Sequence, residues 1–520
     1  MGQYYKIIFL AFWFPQAFFQ LIEYLYWIQV KEYRYDRIIS FLRTQSGRDS
    51  FGIIKQTLKF IALYAAFINF AFLDIYVAIL AYASYLYVSK YLSKKAKKPV
   101  FTLRIVLILL FSLVLLAFLS IFSVLNLEGI VALFAVLETA LMLSGFAGLI
   151  ITSPLVNFAK LQARKAAVSR LHKVKPKIVG ITGSFGKTTT KDFVYQILSA
   201  SKAVEKTVGS ENTEFGIFRK IARLKESTEV FVMEVGAYKR GEIKKVVDYI
   251  QPGIAIITGI EPQHLELFGS LDNLFNAKYE LIQSLPKDGL AIINFDSLES
   301  RKLYRKARKN NITTLTYGIK SKTADLLLRP KSSDEHGVIF DVSMKGIKQR
   351  MFAPVPGVKF LQNIGAAVLV ARHLNVSWGD IIATVDKLTM PEKTMNVTTL
   401  GSGAVFVDDT FNSSPAGFVN ALEYLDTYVA KRKVVITPGL IELGSKTLAS
   451  YTKVAKKMKN IDLLIVTKQE ALGEFRQYNG KVEFAKDHKT LLEIVSRHNS
   501  KDIVFLAEGR LPSGFLKEIV

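Results

Sequence analysis

A glycine-rich loop followed by a lysine and three threonines carries the strongest chemical signal of this sequence. The segment is Gly180-Ile-Thr-Gly-Ser-Phe-Gly-Lys-Thr-Thr-Thr-Lys191. It predicts a strand over Lys177–Ile181, a glycine loop, and a helix that begins at Thr188. Such a loop directs backbone N–H groups at an anion, and the positive end of the helix dipole adds to the attraction. Lys187 is placed to reach the outer phosphates of ATP, and the Thr188 hydroxyl is placed to ligate Mg²⁺.

The spacing of this loop departs from the general P-loop pattern, which requires glycine six residues before the lysine. That position is Ile181 in this chain. A shorter phosphate loop, Thr-Gly-Ser-x-Gly-Lys-Thr-Thr, fits better. Its predicted nucleotide contacts are Gly183, Ser184, Phe185, Gly186, Lys187, Thr188 and Thr189.

Polar side chains follow two further apolar runs. Val230-Phe-Val-Met-Glu234 ends in a carboxylate, and Ile257-Thr-Gly-Ile-Glu-Pro-Gln-His264 ends in an imidazole. Because open α/β sheets bind ligands at the carboxyl ends of their strands, Thr188, Glu234 and His264 predict a Mg²⁺ site that leaves positions for water and phosphate. Taken singly, Glu234 could be a solvated strand-end acid and His264 a hydrogen-bonded loop histidine. Their joint placement behind a phosphate loop favours the metal site.

Strand and helix patterns alternate after Lys177, which is typical of a doubly wound, mostly parallel α/β sheet. Short alternating segments within 338–354 predict an antiparallel appendage, and a helix is expected at 362–374. A second, Rossmann-like α/β unit is expected after a boundary near residues 391–399. The expected strands of the two units are Val230–Glu234, Ile254–Thr258 and Gly289–Asn294, then Ala404–Asp408, Lys433–Pro438, Ile461–Val466 and Asp502–Phe505.

The first ~150 residues have a membrane-like composition. A spanning helix needs about 20 apolar residues. The first apolar stretch has neither a basic segment before it nor an Ala-x-Ala-like cleavage site, so we do not expect it to be a cleaved signal peptide. Four stretches qualify as spans: Ile7–Val30, Phe60–Val88, Leu103–Leu125 and Val131–Ile151. The predicted organisation is an α-helical transmembrane region (1–155), a basic linker (156–176), a central ATP-binding domain (177–392) and a C-terminal domain (393–520).

The charge distribution supports the same interpretation. The net charge of +25 is concentrated beside the apolar stretches, with seven Lys or Arg in 31–59, six in 89–104 and seven in 152–177. Cytoplasmic loops of membrane proteins carry such an excess, and the sequence has no nucleic-acid motif. We therefore expect membrane lipid and not nucleic acid as partner, with the soluble domains in the cytoplasm. Because the chain has no cysteine, disulfides, thiolate metal sites and cysteine nucleophiles are excluded.

The topology of Phe60–Val88 stays open. Asn126-Leu-Glu-Gly-Ile130 has no basic residue, so the last two stretches should form a hairpin with both ends inside. If 31–59 and 89–104 are also inside, Phe60–Val88 must enter and leave on one side. It is then either a re-entrant hairpin broken near Asp74, or one basic loop violates the rule. Three acids lie within the apolar stretches: Glu23, Asp74 and Glu138. Acidic residues inside membrane spans often have a functional role, although Glu23 could lie near an interface and Asp74 in a turn.

From about Lys173 onwards, two-thirds of the chain resembles the Mur ligase family, which forms the amide bonds of peptidoglycan stem peptides with ATP. Asp408-Asp-Thr-Phe-Asn-Ser-Ser-Pro415 and Glu442-Leu-Gly444 are most similar to the member that adds D-alanyl-D-alanine. The other motifs that carry the resemblance are the phosphate loop, Asn212-Thr-Glu-Phe-Gly216, Met233-Glu-Val-Gly-Ala237, His264-Leu-Glu, Ala277-Lys-Tyr-Glu280, Asn294 in Ile-Asn-Phe-Asp, and Asn363-Ile-Gly-Ala-Ala367.

The resemblance implies a mechanism and a set of roles. A carboxylate is activated by the ATP γ-phosphate as an acyl phosphate, and an amino acid or dipeptide amine displaces the phosphate. Lys278 matches the family lysine that is carbamylated to ligate a second Mg²⁺; without the motif it would be interpreted as an exposed helix lysine. The implied catalytic residues are Lys187, Lys278, His264 and Asn412. The implied metal ligands are Thr188, Glu234, His264 and Lys278. For the substrates, the resemblance implies that Asp409 contacts the ribose, that Asn294 lies on the adenine side, and that Asn412 and Ser414 lie near the amine.

Three departures from the family pattern limit these expectations. Gly357-Val-Lys-Phe360 replaces the usual Gly-x-His-Asn, so contacts to the base should differ. The usual Gly-Arg of the C-terminal domain is replaced near Pro391-Glu-Lys393. The membrane stretches stand where the family has a UDP-sugar-binding domain, so we expect a carboxylate acceptor that is lipid-linked or otherwise presented at the membrane.

The sequence is also compatible with three other functions. A ligase similar to poly-γ-glutamate synthase would also combine an anchor with a related core, although the long C-terminal unit argues against it. A transport ATPase would use the phosphate loop to drive the membrane helices. An inactive membrane scaffold is disfavoured by the joint presence of Lys187, Thr188, Glu234, His264 and Lys278.

Overall fold

The computed structural model describes residues 2–519 except 44, 70–71, 94–95, 127–129, 210, 261–267, 269, 412–413, 430, 441–446, 476–477, 479 and 513. The chain divides into two compact units, Met1–Gln162 and Ala163–Val520. Over its described residues the first unit is helical, and the second unit has two mostly parallel sheets.

The first unit is a bundle of apolar helices. Two short helices, α2 (Tyr35–Leu42) and α3 (Gln45–Ser50), connect the first long helix to the second. Four helices of the described chain are long and apolar enough to cross a membrane: Lys6–Val30, Leu73–Leu92, Leu103–Phe122 and Val131–Val174. The long helices are α1 (Gly2–Val30), α4 (Ile53–Ile68), α5 (Leu73–Leu92), α6 (Leu103–Asn126) and α7 (Ile130–Val174).

Helices α1, α5 and α7 run in one direction, and α4 and α6 run in the other. At one end of the bundle, the Phe9 ring stacks on Phe134 at 3.6 Å between ring centroids. At the other end, Gln29 Nε2 of α1 donates to the Val100 carbonyl before α6, at 2.8 Å, and the Tyr24 hydroxyl donates to the Phe51 carbonyl before α4, at 3.2 Å. The basic segments 31–59 and 89–104 therefore lie at the same end.

The stretch Phe60–Val88 is divided between α4 and α5, with the break between Ile68 and Leu73 beside Asp74. Of the two alternatives left by the sequence, the broken hairpin is the one that this arrangement matches. Asp74 lies in the first turn of α5.

The other two acids of the apolar stretches have basic partners within the bundle. Glu23 pairs with Lys90 at the basic end. Glu138 accepts hydrogen bonds from Lys59 Nζ at 3.1 and 3.4 Å, and both side chains are buried. Since an unpaired charge in an apolar interior is costly, these pairings account for both acids without a ligand.

The second unit begins with a nine-stranded sheet of order β2-β3-β1-β4-β5-β6-β7-β8-β9. Its strands are parallel as far as β7, and the last three form the antiparallel appendage. The strands are β1 (Lys177–Thr182), β2 (Val204–Lys206), β3 (Val230–Glu234), β4 (Ile254–Ile257), β5 (Leu290–Asn294), β6 (Thr313–Gly318), β7 (Leu326–Ser333), β8 (Val338–Met344) and β9 (Ile347–Ala353).

Helices cover both faces of this sheet, so β3, β4 and β5 are buried throughout. On one face lie α8 (Lys187–Ser199), α13 (Leu361–His373) and α14 (Trp378–Val385), the second of these preceded by a 3₁₀ turn, Val358–Phe360. On the other face lie α9 (Glu214–Ile221), α10 (Glu242–Ile250), α11 (Leu271–Gln283) and α12 (Leu298–Lys309).

The second sheet has the order β10-β11-β15-β12-β13-β14 and is parallel except for β10. Its strands are β10 (Asn396–Thr399), β11 (Val405–Asp409), β12 (Arg432–Thr437), β13 (Leu463–Val466), β14 (Lys481–Phe484) and β15 (Ile503–Glu508). Its helices are α15 (Pro415–Leu425), α16 (Thr447–Ala455), α17 (Gln469–Glu474), α18 (His488–His498) and α19 (Phe515–Ile519).

The predicted fold class is confirmed: apolar helices long enough to span precede two mostly parallel α/β sheets. The first sheet ends at Ala353 and the second begins at Asn396. The predicted domain limits at 155, 176 and 392 stay predictions.

Candidate active site

The phosphate loop follows the carboxyl end of β1, which lies between β3 and β4 in the sheet. Gly186 has a positive φ of +69° and caps α8, and a Cβ there would lie 2.6 Å from Asn363 Nδ2. Gly259, after β4, has φ +153°, and a Cβ there would lie 2.2 Å from the Phe185 ring. Both positions require glycine because a side chain would collide with the neighbouring segment.

Hydrogen bonds from two other segments hold the loop in place. Ser184 N donates to Gly259 O at 2.8 Å, and the Thr258 hydroxyl donates to Phe185 O at 2.5 Å. Asn363 Nδ2 donates to Gly186 O at 3.0 Å and to the Thr190 hydroxyl at 2.9 Å. Asn363 thus joins α13 to the first turn of α8, which gives this motif residue a structural role.

Thr188 and Glu234 form the centre of the site. The register of the sheet pairs Ile181 with Glu234, so the buried carboxylate lies beside the end of β1. The Thr188 hydroxyl donates to Glu234 Oε2 at 2.8 Å, and Asn212 Nδ2 donates to Glu234 Oε1 at 3.0 Å. A hydroxyl and a carboxylate in contact beside a phosphate loop are the hard oxygen donors that Mg²⁺ takes from proteins, together with phosphate and water.

Lys191 is a site residue that the sequence did not reveal. Its side chain is fully buried, its Nζ donates to Gly209 O, and the Nζ lies 4.0 Å from Glu234 Oε2. Burial lowers the pKa of Lys191, and the Glu234 carboxylate opposes that change. The helical spacing from Lys187 was a usable signal, since residues four apart share a helix face.

The amines of Lys187 and Lys278 both interact electrostatically with the Glu234 carboxylate. Lys187 Nζ donates to Gly183 O at 3.1 Å, and burial lowers its pKa. Lys278, in α11, is 3% exposed. Burial lowers the pKa of Lys278 to about 7, with a further decrease from the Lys187 charge and an opposing effect of Glu234. A buried amine with this pKa is unprotonated in about half of the molecules at pH 7, and only the unprotonated form is a nucleophile.

Asn294 and Asp409 have well-defined partners. Asn294 Nδ2 donates to Thr258 O at 2.8 Å, so this residue braces the segment after β4. Asp409, at the end of β11, accepts from Met395 N at 3.3 Å and lies beside the buried Glu508, its register partner on β15. Burial raises the pKa of Asp409 to about 6. Sequence reasoning did not identify Glu508.

His264 and Asn412 lie outside the described residues. Ser414 was expected near the incoming amine, and its hydroxyl accepts from Gly417 N at 3.0 Å as the N-cap of α15, with Pro415 in the first turn. The structure therefore brings together Lys187, Thr188, Glu234 and Lys278, whereas the described partners of Asp409 belong to the second sheet or the segment leading into it.

Comparisons with known proteins agree with this geometry. Residues 181–371 match the family described as the Mur ligase middle domain. The chain is 26% identical over 356 residues, 67% of its length and 76% of the relative, to a UDP-N-acetylmuramoyl-tripeptide–D-alanyl-D-alanine ligase of Bacillus subtilis (strain 168).

Solved structures show the same fold. The structure of MurF from Acinetobacter baumannii has a TM-score of 0.61 and 24% identity, covering 68% of this chain and 78% of that one. The MurF ligase from Thermotoga maritima in complex with ADP has a TM-score of 0.59 and 24% identity, covering 68% and 80%.

Proposed function

Because this chain belongs to the Mur ligase family of ATP-dependent acid–amino-acid ligases, we propose that it joins an amino acid or dipeptide to a carboxylate of a peptidoglycan precursor at the membrane. The observation that carries the proposal is the contact of Thr188 with Glu234, 2.8 Å apart, directly behind the phosphate loop. The name of the Bacillus relative favours a dipeptide as the amine and a peptide carboxylate as the acceptor.

The proposed reaction has two steps. A carboxylate oxygen attacks the γ-phosphorus of ATP and ADP leaves, which produces an acyl phosphate. The amine nitrogen then attacks the acyl carbon, phosphate leaves, and the nitrogen loses a proton, so the products are an amide, ADP and phosphate. Lys187 and the loop N–H groups stabilise the charge of the transferred phosphoryl group, and the rest of the work is positioning.

Two Mg²⁺ ions would neutralise phosphate charge when bound. Thr188 and Glu234 fit the first, with His264 as the third predicted ligand. For the second, we propose that Lys278 is carbamylated: its neutral amine adds to CO₂ and releases a proton, which turns a cationic side chain into an anionic oxygen ligand. The lowered pKa of Lys278, about 7, supports this because the reaction needs the free amine.

The apolar bundle supports a membrane location for the enzyme. We propose that the helices of the first unit anchor the chain, that the ligase sheets lie on the cytoplasmic side, and that the acceptor is lipid-linked. The basic segments at one end of the bundle support this orientation because such segments face the cytoplasm.

The test is ADP release by the full chain in detergent, with a panel of UDP-linked and lipid-linked peptide acceptors and of amines. We expect turnover only when acceptor and amine are both present, and none with Lys187→Ala. Turnover that needs no amine would favour a transport ATPase, and repeated addition of one amino acid would favour a polymer-forming ligase. Use of UDP-linked acceptors alone would remove the lipid-linked acceptor from the proposal.

A further inference from the structure

Among the described residues, four cations at the basic end of the helical bundle lie over aromatic rings. The face of a ring attracts a cation electrostatically and so orients its side chain. We call these eight residues the basic collar. The cation and ring centroid are 4.0 Å apart for Lys31 over Phe41, 4.2 Å for Lys97 over Trp27, 3.9 Å for Lys98 over Tyr91 and 4.4 Å for Arg104 over Tyr33.

Backbone and side-chain hydrogen bonds fix the segment that carries three of these cations. Gln29 of α1 makes two bonds with Val100, one from Nε2 to the carbonyl at 2.8 Å and one from the amide to Oε1 at 2.7 Å. The Tyr33 hydroxyl lies 3.3 Å from the Thr102 hydroxyl. Val100 and Thr102, which lie close in sequence to Lys97, Lys98 and Arg104, are thereby held against the end of α1 and the turn that follows it.

The rings also contact one another. The Trp27 and Phe41 rings pack with their centroids 4.8 Å apart, so Lys97 and Lys31 sit on a shared aromatic surface. Segment 89–104 has six basic residues and no Asp or Glu. Three of the four collar cations, Lys97, Lys98 and Arg104, therefore lie in a segment without acids, whereas Lys31 precedes Glu32. Rings and hydrogen bonds orient this cluster, which goes beyond the excess of charge that every cytoplasmic loop shares.

Exposed apolar side chains lie next to the cations in the same segment. Val100 is 72% exposed, Phe101 56% and Leu103 72%. A soluble anion would gain no binding energy from these apolar side chains, whereas an amphiphile can place its chain on them and its headgroup on the cations. A headgroup with several negative charges fits several cations better than a single carboxylate does, and phosphate esters supply those charges.

We propose that the basic collar binds a lipid whose headgroup is attached through a diphosphate, with the diphosphate on Lys31, Lys97, Lys98 and Arg104 and the start of the lipid chain beside Val100, Phe101 and Leu103. This inference rests on the membrane location in the proposed function and names the place where a lipid-linked acceptor is held. Because the rings orient the cations before binding, less side-chain freedom is lost on complex formation.

The test measures binding rather than ligase turnover. The full chain is placed in nanodiscs of phosphatidylcholine, saturated with ADP and Mg²⁺ so that the phosphate loop is occupied, and titrated with radiolabelled farnesyl diphosphate against empty discs. Inorganic pyrophosphate is titrated in parallel, and displacement of the labelled probe separates the lipid from a free diphosphate as ligand.

Three variants separate a built site from general charge. Lys97→Gln with Lys98→Gln should weaken binding about tenfold, which corresponds to about 1.4 kcal/mol. The matched control, Lys345→Gln with Lys348→Gln, removes the same charge at exposed positions in the β8–β9 turn and at the start of β9, and should leave binding unchanged. Trp27→Leu changes no charge and should weaken binding about threefold because Lys97 loses its ring.

Each outcome either supports or overturns the proposed lipid site. Equal losses in both lysine pairs, or no loss in the first, would overturn the collar as a specific site. Unchanged binding by a folded Trp27→Leu protein would overturn the role of the rings, and the lysine pairs carry the test if that variant does not fold. Equal affinity for pyrophosphate would overturn the lipid as ligand. Failure of the wild-type chain to insert into membranes would instead count against the membrane location itself.

Discussion

Lys278 should make the protein less stable at neutral pH than at alkaline pH, and Lys278→Met should remove that dependence. In the folded chain its pKa is about 7, whereas an unfolded lysine has a pKa near 10.4. Between these values the unfolded state binds more protons than the folded state, so stability rises with pH from about 7 to about 10.4. Below about pH 7 the full destabilisation is present.

The size of the effect follows from the two pKa values. A difference of about 3.4 pKa units corresponds to roughly 5 kcal/mol at most. Between pH 7 and pH 9.5 about 3 kcal/mol of this should be recovered by the wild type. Water penetration and the nearby Lys187 reduce the effect, so we expect Lys278→Met to be about 2 kcal/mol more stable than wild type at pH 7 and nearly equal to it at pH 9.5. Each kcal/mol corresponds to about 2–4 °C in the unfolding midpoint.

The assay is thermal unfolding of the full chain in detergent, in CO₂-free buffer with EDTA, at pH 7 and pH 9.5. Lys287→Met, at an exposed position two residues after Leu285, serves as the matched control and should follow the wild type. Readmitting CO₂ and Mg²⁺ should stabilise the wild type but not Lys278→Met. A Lys278→Met protein that is less stable than wild type at pH 7, or that gains equally at both pH values, would refute the reasoning.

Three further predictions concern the nucleotide end. Thr188→Val should raise the Mg²⁺ concentration needed for half-maximal ADP release at least about tenfold, and an unchanged Mg²⁺ titration would contradict the assignment. Lys191→Met should reduce kcat/KM for ATP about 10–100-fold through the orientation of Glu234, and the Mg²⁺ titration should shift with it, which a purely structural lysine would not cause. The KM for ATP should rise as the pH falls below about 6, where Asp409 becomes protonated. The Asp409→Asn variant should have the high KM at every pH. A wild-type KM that does not depend on pH between 5 and 7 would exclude Asp409 as a ribose contact.

The sequence predicted the central strands well and the appendage less well, for a physical reason. The expected strand Val230–Glu234 is identical to β3, and buried parallel strands are continuous apolar runs that need no tertiary information to recognise. Strand β7 was missed because Pro330 and a polar end interrupt its pattern, and the sheet accommodates this by a register shift between Pro330 and Ser332.

The site was predictable where one local motif sets the geometry. Lys187, Thr188 and Glu234 follow from a strand end and a glycine loop. Helical spacing puts Lys191 on the same face as Lys187, but its partners come from the Gly209 loop and from β3, which only the folded sheet brings together. Ser414 was expected near the amine, and the structure has it as the cap of α15; the Ser-Pro pair, a helix-start signal, was not used to predict that cap.

The hairpin of α4 and α5 shows why hydropathy alone did not determine the membrane topology. Helix α4 has 16 residues and rises about 24 Å, less than the roughly 30 Å of a bilayer core. It also contains Lys59, which precedes the apolar stretch seen in the sequence and is buried against Glu138 on α7. A helix of this kind is stable only inside a bundle, since its lysine needs a partner that lipid does not offer. The average hydropathy over Phe60–Val88 therefore revealed neither the break before Leu73 nor the ion pair of Lys59 with Glu138 that makes the hairpin possible.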